Sequence, residues 1–153
     1  MITPCAPEEA PIGLLLEADP SRKHIEDYVE RGTIFVATEK EEIIGVYVIL
    51  PTRPGTLELV NIAVEETHRG KGIGRCLIRH AIDQAEGYQR LEVGTGNSSV
   101  DQLAFYQRAG FRIDHVDHDF FTVHYNGEIW ENGIRCRDMI RLVKTLETAE
   151  KEG

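Results

Sequence analysis

Apolar residues fall into short segments, some alternating and some at helical spacing, separated by glycine, proline and acidic clusters. From Pro7 to Gly32 the spacing is helical: Leu14, Leu15 and Leu16 supply an apolar stripe, and Asp19 stands as an N-cap before Pro20 at the first position of a second helix running towards Arg31. Thr33 to Thr38 and Ile43 to Leu50 are rich in β-branched residues, and the polar Glu39 to Glu42 between them predicts a hairpin turn. After a Pro51 to Gly55 loop, Leu57 to Val64 is apolar on both faces, which predicts a central strand covered on each side.

Downstream, Ile73, Leu77, Ile78, Ala81, Ile82 and Ala85 recur at helical spacing, and Gly87 is placed to end that helix. Leu91 to Val93 reads as a short strand, Ser98 to Ala109 as a helix closed by Gly110, and Phe111 to Ile113 as the next strand. Phe120 to Tyr125 and Cys136 to Leu142 read as two further strands, joined by a polar loop with Asn126-Gly127 and Asn132-Gly133. The alternation implies α/β layering. One domain over residues 1–153 is expected, with its core at 33–113, C-terminal strands at 114–145 and a charged tail at 146–153.

Composition narrows the classes. The 153 residues, 41% hydrophobic, suffice for one ordinary core. No apolar run approaches the roughly 20 residues that span a bilayer, and the first residues lack the basic-then-apolar order of a secretory signal, so a cytoplasmic protein with no membrane role is expected. Cys5, Cys76 and Cys136 are odd in number and widely spaced, as reduced thiols are. A net charge of -9 disfavours nucleic acid and weakly favours a cationic amine.

The segment His68-Arg69-Gly70-Lys71-Gly72-Ile73-Gly74 sets glycines at alternate positions where a strand has ended and a helix begins, so that backbone amides converge on an anion. A Walker A loop is excluded because Lys71 lies between glycines and Gly72, not Ser or Thr, follows it. A dinucleotide fingerprint is excluded because Arg75 stands where the third glycine belongs.

The pattern Arg69-x-x-Gly72-x-Gly74 after Leu57 to Val64 resembles the acetyl-CoA motif of the GNAT N-acetyltransferase superfamily, and Asn97, Tyr106 and Gly110-Phe111 resemble its second cofactor-contacting unit. Together these cover roughly Thr33 to Ile113. The resemblance implies a mixed, mostly antiparallel sheet of six or seven strands with helices on both faces. It implies acetyl-CoA as cosubstrate, held by Arg69, Gly70, Lys71, Gly72, Ile73, Gly74, Arg75 and Asn97, with pantetheine along Ile62, Ala63 and Val64. Glu58, 11 residues before Arg69, then matches the carboxylate that serves as base, and Tyr106 the acid that protonates the thiolate. Each has an ordinary reading too: Glu58 as a surface or ion-paired residue, Tyr106 as core, Asn97 as a helix cap. Asn61, a polar residue in an apolar strand, is placed either to mark a bulge that frees those amides or to face a polar pocket or a neighbouring strand.

The Asp114 to Asp119 cluster, with His115, His118 and nearby His124, reads as acids shaping an amine pocket; no zinc spacing is present and no metal is expected. Phe120, Phe121, Tyr125 and Trp130 either fill the core or wall that pocket. The expected reaction is acetyl transfer to a primary amine of a small molecule, a peptide lysine or an N-terminus by direct attack in a ternary complex. A non-catalytic acyl-CoA sensor and an acidic interaction domain are the alternatives, and terminal strands offer edges for a homodimer.

Overall fold

The computed structural model describes residues 1–146, so the charged end beyond Leu146 lies outside the described residues. The chain runs through β1 (Ile2–Cys5), α1 (Ile12–Ala18), α2 (Arg22–Arg31), β2 (Thr33–Glu39), β3 (Glu42–Arg53), β4 (Thr56–Val64) and α3 (Ile73–Gln84). It continues through β5 (Arg90–Gly96), α4 (Val100–Arg108), β6 (Arg112–Asp117), α5 (Phe120–His124), β7 (Trp130–Glu131), β8 (Ile134–Arg135) and β9 (Met139–Thr145). The main sheet has seven strands in the order β1-β2-β3-β4-β5-β9-β6, antiparallel throughout except at β4–β5. This is the mixed, mostly antiparallel sheet that the motifs implied.

Period-two alternation from Val46 to Leu50 of β3 makes the two cores, and the bulge at Ile44 sets that residue, three before Tyr47, on the Tyr47 face. Ile44, Tyr47 and Ile49 face α3 and α4, where Leu77, Ile78, Ala81 and Tyr106 pack. Val46, Val48 and Leu50 face α1 and α2 with Leu15, Ile25 and Val29. The β2–β3 turn is tight because Lys40 (φ 51°) and Glu41 (φ 69°) both adopt the left-handed conformation that matches strand twist in a two-residue loop.

The central strand carries the feature on which the site depends. Leu59 pairs with Ile49 and Asn61 with Val48, leaving Val60 as the extra residue of a bulge. Leu59 and Ile62, three apart, therefore share the α3 face. On the other side of β4, parallel pairing with β5 joins Thr56–Leu59 to Arg90–Val93 and ends there. From Val60 onwards β4 and β5 splay apart.

Five points of the sequence reading change. The second helix is capped by Ser21, whose hydroxyl accepts from His24 N–H, while Asp19 accepts from Ser21 N–H one step earlier. Phe120–His124 is a helix, not a strand; its apolar run was too short for periodicity to discriminate, and Val123 and Tyr125 donate N–H to Asp119 and Phe121. The last strand is Met139–Thr145, shifted past Cys136, and β3 continues through Pro51 at an irregular register. Strand β1 was not anticipated; four residues carry too little pattern to read.

Candidate active site

The splay opens a cleft whose inner half, about 400 Å³, is walled by Leu59–Ile62 on one side and Gly94–Gly96 on the other. An outer half of about 790 Å³ follows Ile62, Ala63 and Val64 to Arg69, Gly70 and Gly74. Glu17, Ala18, Ile62, Gln102 and Glu131 line both halves, so they form one passage. Gly96 is required here, since a Cβ would lie 2.4 Å from Cys136 Sγ.

At the outer end, Gly70 (φ 79°) and Gly72 (φ 84°) hold left-handed conformations that turn the chain into α3. The backbone N–H groups of Gly70 to Arg75 donate no hydrogen bond among the described residues, because the first helical bond runs from Cys76 N–H to Gly72 carbonyl. That run of free donors, with the positive end of the α3 dipole, suits a doubly charged pyrophosphate. The turn is braced by Glu65, which accepts from Thr67 N–H and hydroxyl and pairs with His68 at 2.6 Å; these bonds hold its carboxyl down at about 2. Arg75 and Arg79, one helical turn apart on α3, meet Arg108 of α4 around a neighbouring groove floored by Ile78, Ile82 and Phe105. None of the three forms an ion pair among the described residues. Arg79 and Arg108 escaped sequence reading, although the i, i+4 spacing of Arg75 and Arg79 was a visible signal.

Of the candidate catalytic residues, Tyr106 is brought to the cleft. Its ring is buried, 5% exposed, between Phe105 and Phe111, and it lines the inner half. Burial pushes its phenol well above the usual range, so it keeps its proton. Glu58 precedes the cleft-lining Leu59 on β4 but does not itself line the cleft. Burial raises its carboxyl pKa, against the opposing pull of Arg141, whose Nη1 lies 3.4 Å from Oε2.

Asn97 is placed elsewhere. Its Nδ2 donates to Arg135 carbonyl, and its Oδ1 accepts from Arg137 and Asp138 N–H, so it staples the β8–β9 link to the end of β5. It does not cap α4 either; Ser99 holds that position. The Asp114–Asp119 cluster is also outside the cleft, its histidines paired with Asp114, Asp117 and Asp138 along β6 and beyond, and no group of three or more metal-binding side chains occurs among the described residues. The aromatic set divides: Phe121 and Tyr125 line the inner half, Phe120 lies under the Arg141 guanidinium, and Trp130 is exposed.

The inner half instead owes its charge to three carboxylates that sequence reading missed, Glu17, Asp19 and Glu131, with no lysine or arginine among its lining residues. Asp19 ties the site together. Its carboxylate accepts from the hydroxyls of Tyr28 and Tyr125, and Asn61 Nδ2 donates to both Tyr28 hydroxyl and Leu15 carbonyl. Residues 106 positions apart are thereby joined above the bulge.

Comparison with known proteins gives the same reading. Residues 30–113 match the acetyltransferase (GNAT) domain model. The chain is 53% identical over 135 residues to the uncharacterised N-acetyltransferase YvbK of Bacillus subtilis, covering 87% of each chain. Among solved structures, it is similar to an IAA acetyltransferase from Bacillus cereus, with 55% identity, 95% and 99% coverage of the two chains and a TM-score of 0.92. A GNAT family acetyltransferase from Elizabethkingia anophelis with acetyl-CoA bound gives 44% identity, 95% and 97% coverage and a TM-score of 0.92. With the amide-lined turn, the splayed central strands and these matches in hand, the chain belongs to the GNAT acetyltransferase family.

Proposed function

We propose that this protein transfers an acetyl group from acetyl-CoA to a primary amine by direct attack within a ternary complex. The observation that carries this reading is one continuous cleft: free backbone amides with Arg69, Arg108 and Asp101 at its outer end, an inner half lined by Asp19 and by no lysine or arginine, and Glu17 and Glu131 shared by the two halves. The thioester supplies an activated acyl carbon and a thiolate leaving group.

The chain's residues divide the remaining work. Amides of Gly70 to Arg75 and the Arg69 guanidinium hold the pyrophosphate, and Arg75, Arg79 and Arg108 neutralise further phosphate charge. Beyond Leu59 the β5 side of β4 lacks a ladder, so backbone groups of the Ile62 to Val64 segment, apart from the Val64 carbonyl held by Arg69, are available to pair with an extended amide-bearing arm. An N–H at the bulge polarises the acyl carbonyl and stabilises the oxyanion. Glu58, its pKa raised by burial, takes the ammonium proton through solvent, and Tyr106 returns a proton to the leaving sulfur.

Free-thiol release from acetyl-CoA against a panel of amines tests this directly. Release dependent on a primary amine is expected. Tight CoA binding without release for any amine would replace the enzyme by an acyl-CoA sensor.

A further inference from the structure

Glu17 occupies an unusual position. It sits in the last turn of α1, where a carboxylate opposes the helix dipole, so helix stability does not explain it. Its backbone is held in place: Leu15 carbonyl, two residues earlier, accepts from Asn61 Nδ2 and Asp19 N–H, which pins the end of α1 onto the β4 bulge. Its side chain is 45% exposed and reaches across the cleft, Oε1 lying 2.8 Å from Arg69 Nη2. Arg69 is held from behind by its Nε–H bond to Val64 carbonyl. Glu17 therefore lines both halves of the cleft while neutralising a cation of the outer half.

We propose that Glu17 is a specificity residue held in reserve by Arg69. In the free protein it masks Arg69; when Arg69 exchanges it for pyrophosphate, Glu17 turns to the inner half and meets the second positive charge of a diamine-type acceptor. This rests on the acyl-transfer reading above. Asp19, Glu131 and Glu17 then surround a cation where no lysine or arginine competes. Because coupling is reciprocal, cofactor and diamine each tighten the binding of the other.

Isothermal titration with CoA, on the wild type, Glu17→Gln, Arg69→Gln and the double variant, tests the masking. Glu17→Gln should tighten CoA about two- to fivefold, the range of an exposed ion pair. In the Arg69→Gln background the same change should do nothing. An equal gain in both backgrounds reflects general charge repulsion and overturns the proposal, as does no gain at all. For the acceptor, thiol release is compared between 1,5-diaminopentane and 1-aminopentane. The wild type should favour the diamine in kcat/KM, and Glu17→Gln should erase that preference through KM. Equal use of both amines by the wild type overturns the acceptor role. No release with either strikes the acyl-transfer reading, while the titration still decides the masking.

Discussion

Arg141 on β9 reaches across β5 to Glu58 on β4, its Nη1 3.4 Å from Oε2, while its Nε–H donates to Asp117 at 2.9 Å. Gly94 keeps that path open: it pairs with Arg141 in the ladder, and a Cβ there would lie 3.0 Å from Arg141 Nη1. The guanidinium is half of a balance at Glu58, since burial raises the carboxyl pKa and Arg141 lowers it, with burial the larger effect.

In the proposed reaction, with Glu58 as the base, that balance sets the acid limb. Glu58 acts as a base only when ionised, so Arg141→Met, which removes the lowering influence, should move the acid limb of kcat/KM to higher pH. Glu58→Gln should lower kcat/KM about 10²-fold or more while leaving CoA affinity unchanged. A pH profile unmoved by both substitutions would take Glu58 out of the mechanism.

Tyr106 separates packing from chemistry. Tyr106→Phe retains the ring between Phe105 and Phe111, so the unfolding midpoint and CoA affinity should hold. Loss of the proton donor should lower kcat about 10²-fold. If kcat survives and the midpoint falls, the hydroxyl is structural.

Asn61 anchors the bulge. Asn61→Ala removes a buried donor shared by Leu15 carbonyl and Tyr28 hydroxyl, and should cost about 1–3 kcal/mol in urea unfolding. Tyr28→Phe should be less than additive with it, because both belong to one network with Asp19. Full additivity would show that the network is not coupled.

Glu65 gives the turn a pH signature. Its carboxyl sits at about 2 in the folded chain, below the ordinary 4.5, so its contribution is complete above 4.5 and is lost as pH falls towards 2. Glu65→Gln should therefore be less stable than the wild type near neutrality, with the difference closing on acidification. Urea midpoints measured across that range check the sign; a gap that widens in acid contradicts it.

The glycine turn and the strand before it were legible because their chemistry is local. Arg69-x-x-Gly72-x-Gly74 dictates a left-handed backbone and unpaired amides at a helix start, and Leu57 to Val64 announces a strand covered on both faces. Asn61 likewise marked the bulge, whose extra residue proved to be its neighbour Val60. The contacts of Asn97 were not legible because its partners lie 38 to 41 residues away, in a link that no local pattern places beside it.

Family membership, the order of central elements and the amide-lined turn were thus written in the sequence, since each depends on backbone geometry that neighbouring residues impose. The acidic inner half was decided only by tertiary structure. Glu17 and Asp19 come from the end of α1 and the loop after it, Glu131 from a two-residue strand near the other end of the chain. Only the splay of β4 from β5 and the Asp19–Tyr125 contact bring them together, because a charge pattern across long sequence separations has no period to read.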